Sequence, residues 1–267
     1  MKVFLLGCGN IGRFLAKAAQ DMDEVEEIII NDNHPEFIID FISSLTKACL
    51  VDSFELIDEV DLVVEAASQE AARMILPMAL SKGKDIMVLS VGALVDDDFR
   101  EECRRLSKEN GGRIMIPSGA LCGGDGLRSA AVAGLNEVEL ISTKGPKSLK
   151  GVKYLEDKGI DVEAIETKTV LFRGSAREAV RLFPKNVNVS ATVSLLGVGF
   201  DRTMVTVILD PEAKDNSHEL IAHGDFGTIH AKTSNRPFPE NPATSYLAAL
   251  SAVSALRRII SNEWIGI

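Results

Sequence analysis

No uninterrupted apolar run in the 267 residues approaches the ~18 that a membrane span requires. Before Gly7 stand only Lys2 and the short apolar Val3-Phe4-Leu5-Leu6, too little for a secretory leader, so a cytoplasmic protein without a membrane partner is expected. Basic charge is scarce: 29 Lys and Arg against 39 Asp and Glu leave a formal net charge of −10, a poor start for gripping nucleic acid. Cysteine pairing motifs are missing too. Cys8, Cys49, Cys103 and Cys122 are scattered, with no C-x-x-C and no histidine at zinc-ligand spacing, so reduced thiols and no metal are expected. Repeats, low-complexity tracts and Pro/Ser-rich linkers are absent. What remains is a composition of 46% hydrophobic and 25% charged residues, that of a folded soluble chain long enough for one large or two modest domains.

Apolar runs at Lys2–Leu6, Glu27–Ile30, Asp61–Ala66, Asp85–Val91 and Arg113–Pro117 read as strands. Between them, helical spacing appears at Ile11–Ala19, Pro35–Leu45, Gln69–Lys82 and Asp97–Glu109, the last ending before Gly111 and Gly112. Strands alternating with helices imply a parallel sheet covered on both faces. After Pro117 the segments become longer and richer in β-formers: Val138–Thr143, Val162–Arg173, Asp201–Leu209, and paired strands over Glu219–Asn235. Asn188–Gly197 and Ala243–Ile260 read as helices. The expected fold class is therefore α/β, with a first domain over 1–117, an α+β domain over 118–240, and a C-terminal segment 241–267 that packs back on the first.

The sharpest local signal is Gly7-Cys8-Gly9-Asn10-Ile11-Gly12, a G-x-G-x-x-G between the first strand and first helix. Gly7 permits a tight turn, Gly9 lets backbone approach a pyrophosphate, and Gly12 lets helix and strand pack closely. The helix start offers N–H groups and a positive dipole end to phosphates. Such a Rossmann-type, doubly wound sheet carries an acidic residue about twenty positions on, and Asp32 stands 20 after Gly12. A carboxylate there bonds a ribose diol and repels a 2′-phosphate, which favours NAD, while Asn31 and Asn33 leave NADP open. The bland alternative is a glycine turn in an unrelated α/β protein.

Ligands in such sheets lie beyond the carboxyl ends of the strands. Ala66 and Ala67, before Ser68, and Ser90 and Gly92, flanking Val91, end two of these strands and are small enough to pass a flat cofactor, or are ordinary turns. The Gly-rich stretch from Pro117 to Gly124 contains Ala120 and Cys122; the thiol is either packing or a nucleophile. Lys185, Asn186 and Asn188 fall in Phe183-Pro184-Lys185-Asn186-Val187-Asn188, where asparagine suits a carboxamide or carboxylate and is also a common N-cap. His34 and His230 read as structural and His223 is undecided. His218 follows a strand and a polar loop, where scaffolds often display catalytic groups; the alternative is a solvated loop histidine.

Together, the glycine turn, Pro117-Ser118-Gly119-Ala120, Phe183-Pro184-Lys185-Asn186-Val187-Asn188 and Asn216-Ser217-His218-Glu219 occur in an order that resembles the L-aspartate dehydrogenase family over essentially the whole chain. The resemblance implies NAD(P)-dependent oxidation of the L-aspartate amino group, a second domain that is catalytic and forms a homodimer interface, and iminoaspartate that can feed quinolinate and NAD synthesis. It makes His218 the catalytic histidine, and makes Ala120 and either Asn186 or Asn188 cofactor contacts. Cys122 departs from the usual residue after Ser-Gly-Ala. A base with a pKa near neutrality would suit the release of ammonia, and Lys185, Asn186 and Asn188 are candidates to bind the substrate carboxylates. The alternatives are a semialdehyde dehydrogenase using Cys122, a cyclic-imine reductase, or a non-catalytic NAD-binding protein.

Overall fold

The computed structural model describes residues 1–184, 188–238, 241–263 and 265, with backbone alone for 241–243. Its contacts separate two compact units, one of Met1–Pro117 with Ala252–Glu263, the other built on Ser118–Ser251.

In the first unit, β1 (Lys2–Leu6), β2 (Glu27–Asn31), β3 (Ala48–Leu50), β4 (Leu62–Glu65), β5 (Asp85–Val88) and β6 (Ile114–Met115) form an all-parallel sheet in the order β3-β2-β1-β4-β5-β6. β1, β2, β4 and β5 are buried along nearly their whole length, as a sheet covered on both faces demands. α1 (Asn10–Gln20), α2 (Ile39–Ser43), α3 (Gln69–Ser81) and α4 (Asp97–Asn110) make four of the five crossovers, and a 3-10 helix (Glu55–Glu59) lies in the one from β3 to β4. α1 buries Gly12, Leu15, Ala16 and Ala19, the one-face spacing of a 3.6-residue period. Ser68 and Asp96 cap α3 and α4 by accepting the N–H of Ala71 at 3.1 Å and of Phe99 at 3.1 Å. Gly111, at φ 87°, ends α4 in the left-handed cap a side chain would resist. Val3, Leu5, Leu15, Ile28, Ile30 and Val64 form the core, joined by Ala252, Val253 and Leu256.

Three expectations need correction here, and one strand was not expected. Pro35–Leu45 is not one helix: a single 3-10 turn (Pro35–Phe37) is broken from α2 at Ile38, where φ is −122°. β3 escapes sequence reading because it has three half-buried residues at the sheet edge. The strand at Asp85 stops at Val88 rather than Val91, because Glu65 takes the next two N–H groups and Val91–Val95 then coils as a 3-10 helix. The strand expected over Arg113–Pro117 is only the two residues of β6.

The second unit holds a mixed sheet of β7 (Leu135–Lys144), β8 (Thr169–Ser175), β9 (Thr203–Leu209), β10 (Asn216–Gly224) and β11 (Gly227–Asn235), ordered β11-β10-β7-β9-β8. Only β7 and β9 pair in parallel. Its helices are α5 (Gly124–Ala130), α6 (Pro146–Leu149), α7 (Lys153–Asp157), α8 (Ala176–Leu182) and α9 (Asn188–Leu196). Ser175 and Glu178 close a reciprocal capping box on α8. β12 (Pro237–Phe238) pairs with β13 (Asn241–Ser245), and α10 (Tyr246–Ile260) follows. The helix therefore starts at Tyr246 rather than Ala243, and the strand expected from Val162 starts at Thr169. Val138, Leu140, Val193, Leu220 and Ala222 anchor this unit's core.

Candidate functional site

The glycine turn of the first unit behaves as its spacing requires. Gly7 has φ 93°, and a Cβ there would lie 2.6 Å from the Ala67 side chain and 2.8 Å from the Ala66 backbone. A Cβ on Gly12 would sit 2.1 Å from the Gly7 carbonyl oxygen, so α1 can lie this close to β1 only without a side chain. At Gly9 the same Cβ meets nothing within 4 Å. Gly9 also precedes α1, whose start, through Asn10 and Ile11, carries no side-chain cap. Open space before a helix that no side chain caps is what an approaching phosphate needs. Asp32 lies just past β2, and its two oxygens accept the N–H of Cys8 at 2.6 Å and of His34 at 2.8 Å. The carboxylate is thus tied to the glycine turn itself.

Glu65, which the sequence reading missed, ends β4 with 0% exposure. It accepts the Ala67 N–H at 2.8 Å, the Ser90 N–H at 2.9 Å and the Ser90 hydroxyl at 2.9 Å. Burial raises its pKa, and the donors from Ser90 and Ala67 pull against that. Ala66, Ala67, Ser90 and Gly92 therefore lie around two strand ends that one buried carboxyl pins together. An acid closing the run Leu62-Val63-Val64 was the signal.

In the second unit, β10 begins at Asn216, so His218 is a strand residue with 3% exposure, not a loop histidine. Register explains its surroundings. His218 pairs with Ser142 and with Thr233, two steps along from the Leu140–Leu220 pair, so it continues the apolar face of the sheet. That face turns polar at one end. Ser142 Oγ lies 3.0 Å from His218 Nδ1. Lys144 follows at 4% exposure, and Asn216 at 1%. Thr233 donates to the Ala120 carbonyl at 3.1 Å, as does the Asn235 amide at 3.3 Å, which draws Ala120 to the same end. Burial first, and then the Lys144 charge, push the His218 pKa down to about 3, against the near-neutral value expected from its type. The ring is neutral at working pH. Burial lowers Lys144 to about 8. Ser142, Lys144, Asn216, Thr233 and Asn235 were not anticipated, because pairing of distant strands assembles them.

Asn188 opens α9, and Lys185 and Asn186 lie outside the described residues. His34 sits 3.5 Å from Glu36, His223 is 3.1 Å from the Thr228 hydroxyl, and His230 is 2.6 Å from Glu219, all on exposed ground. Among the described residues, no group of three or more His, Cys, Asp or Glu could hold a metal ion, and no helix is long and apolar enough to cross a membrane.

Comparison with known proteins identifies the family. Residues 125–259 match the family model described as aspartate dehydrogenase, C-terminal, and residues 7–117 match that of the homoserine dehydrogenase NAD-binding domain. The L-aspartate dehydrogenase of Methanosarcina acetivorans is 46% identical over 100% of this chain and 99% of its own. That of Nitrosopumilus maritimus is 36% identical over 98% of this chain and 97% of its own. The chain belongs to the L-aspartate dehydrogenase family. A crystal structure of aspartate dehydrogenase from Thermotoga maritima matches at TM-score 0.77 and 30% identity, over 99% of both chains.

Membership in the aspartate dehydrogenase family removes the motive for a thiol mechanism, and so does the structure. Cys122 is half-buried, and its sulfur has no hydrogen-bond partner among the described residues, so no base is in place to activate it. Cys8 and Cys103 are buried, which raises both thiols to about 11.

Proposed function

We propose that this chain oxidises L-aspartate with NAD, releasing ammonia by way of iminoaspartate. The observation that carries it is a neutral, buried histidine beside a buried lysine that no described residue pairs, at the polar end of one sheet face. Gly7, Gly9, Gly12, the start of α1 and Asp32 would hold the dinucleotide, whose bound nicotinamide supplies the hydride acceptor. Asp32 favours NAD over the 2′-phosphorylated NADP.

His218 is the proton-handling residue. With its proton on Nδ1, the ring donates to Ser142 Oγ and leaves the Nε2 lone pair free to take a proton from a water that attacks the imine carbon. That proton then serves the departing ammonia. Burial is the larger cause of the low pKa of His218 and the Lys144 charge the smaller, so a dicarboxylate that neutralises that charge relieves only the smaller part. Ala120 and either Asn186 or Asn188 are cofactor contacts in the same proposal, and Lys185, Asn186 and Asn188 are the carboxylate candidates that the sequence offers.

The sheet face opposite His218 supports a homodimer: Ile141, Ile208 and Ile221 are only half-buried there, and Met204 is 38% exposed. The domain division proposed is a dinucleotide-binding unit over 1–117 and a catalytic and dimerisation unit over 118–240, in a cytoplasmic enzyme that can supply iminoaspartate to pyridine nucleotide synthesis.

The test is to follow reduced cofactor spectrophotometrically with L-aspartate and NAD or NADP, and in reverse with oxaloacetate and ammonia. His218→Asn is expected to lower kcat by on the order of 10²–10⁴ while NAD affinity holds. Wild-type protein that binds NAD but never turns over aspartate would sink the assignment, and light scattering checks the dimer.

A further inference from the structure

We propose that Lys144 is the cation that binds a carboxylate of the substrate, with the Asn216 amide as a second donor beside it. The inference rests on the aspartate assignment and deepens it.

Four observations converge. Lys144 closes β7, and the pairing of Thr143 with Ser217 puts Asn216 opposite it one step on. Lys144 is 4% exposed, yet no ion pair or hydrogen bond joins its amine to any described residue. The neighbouring acids are committed elsewhere: Glu139 accepts from Thr206 on the other face, Asp210 accepts from the Glu212 N–H, and Asp215 accepts from Ser234. A buried ammonium without an anion is a cost to the fold and is retained where an anion arrives from outside.

Asn216 supplies the second donor. Its Oδ1 accepts from the Ser148 hydroxyl at 3.1 Å, which fixes the amide orientation. Its Nδ2 is, among the described residues, the one fully buried side-chain nitrogen or oxygen with no partner. Two donors that no described residue satisfies, one of them cationic, stand on neighbouring strands at the same end of the sheet face as His218 and match the acceptor pair of a carboxylate. Lysine serves here as a point charge and asparagine gives direction.

The probe is succinate, a dicarboxylate with no amine to oxidise, titrated by calorimetry into NAD-saturated protein. Lys144→Met removes the charge but keeps the length and the buried character of the site. It should weaken succinate by about thirtyfold and raise the KM for L-aspartate similarly, with NAD affinity unchanged. Lys144→Arg should recover part of the loss. Asn216→Asp, nearly isosteric, places a carboxylate against Lys144 and should abolish succinate binding in a protein that still melts normally. Succinate affinity and aspartate KM within about threefold of wild type in Lys144→Met would overturn the inference while aspartate turnover by wild type stands. Wild-type protein that binds NAD but neither binds succinate nor oxidises aspartate would overturn both, so the two failures are distinguishable.

Discussion

The glycine turn and the polar end of the second sheet are built on opposite plans. Gly7, Gly9 and Gly12 lie within six consecutive residues and act through backbone, by what they leave out. Ser142 and His218 touch across 76 positions of sequence and act through side chains, by what the register between β7 and β10 brings opposite. A site of the first kind is a local property of the chain, and a site of the second kind exists only once the sheet has formed. The first is broken by adding an atom, the second by removing a charge or a proton acceptor.

The largest effect should come from a single methyl group, placed at two positions of the same turn. In Gly12→Ala the Cβ falls 2.1 Å from the Gly7 oxygen, so α1 must move off β1. A loss of more than about 4 kcal/mol in denaturant unfolding, and of NAD binding with it, is expected. In Gly9→Ala the Cβ meets open space, and φ of −70° suits any residue. Stability should hold within about 1 kcal/mol while NAD binds on the order of tenfold more weakly, because the methyl occupies the approach to the helix start. Gly9→Ala binding NAD like wild type would show that phosphate does not come near this loop.

The same contrast explains what the sequence could disclose. β1, α1, β2 and Asp32 are legible because turn chemistry, helical period and a fixed spacing all lie in one short window. His218 is legible as a residue, through its resemblance to a family motif, but its burial, its lowered pKa and its partner Ser142 are not. Those depend on which strands are neighbours, and the order β11-β10-β7-β9-β8 cannot be read from alternation alone. Lys144 was invisible for a further reason: a lysine ending a strand ordinarily points to solvent, and only the pairing with β9 and β10 encloses it.

Glu65 sits between the two plans, a side chain that holds a backbone-built site. Glu65→Ala would leave the buried Ser90 N–H and hydroxyl without an acceptor, as well as the Ala67 N–H. At ~1–3 kcal/mol for each buried orphan, a loss of about 3 kcal/mol in chemical denaturation is expected, with weaker NAD binding as the two strand ends separate. Glu65→Gln keeps one acceptor but sets an NH₂ against donors, so it should recover only part. Full stability in Glu65→Ala would mean water replaces the carboxyl, and the strand ends do not need it.

The smallest effect, and the one that separates Lys144 most cleanly from everything around it, is its pH dependence. The groups facing it are Asn216 and His218 from β10, with Leu209 opposite on β9; His218, at about 3, stays neutral throughout the range that matters. Lys144 falls from 10.5 to about 8 on folding, so between those values the unfolded chain carries the extra proton. Its contribution to stability therefore rises with pH across that window, and is at its most unfavourable below it. Anion binding has the opposite sign, because the amine must be charged to attract a carboxylate. From pH 7 to pH 9, succinate affinity should fall about tenfold, or roughly 1.4 kcal/mol, while the ligand-free protein loses this source of strain. In Lys144→Met both trends should flatten together. A wild-type succinate affinity that is level across this range would mean that the charge recognised by the ligand belongs to another residue.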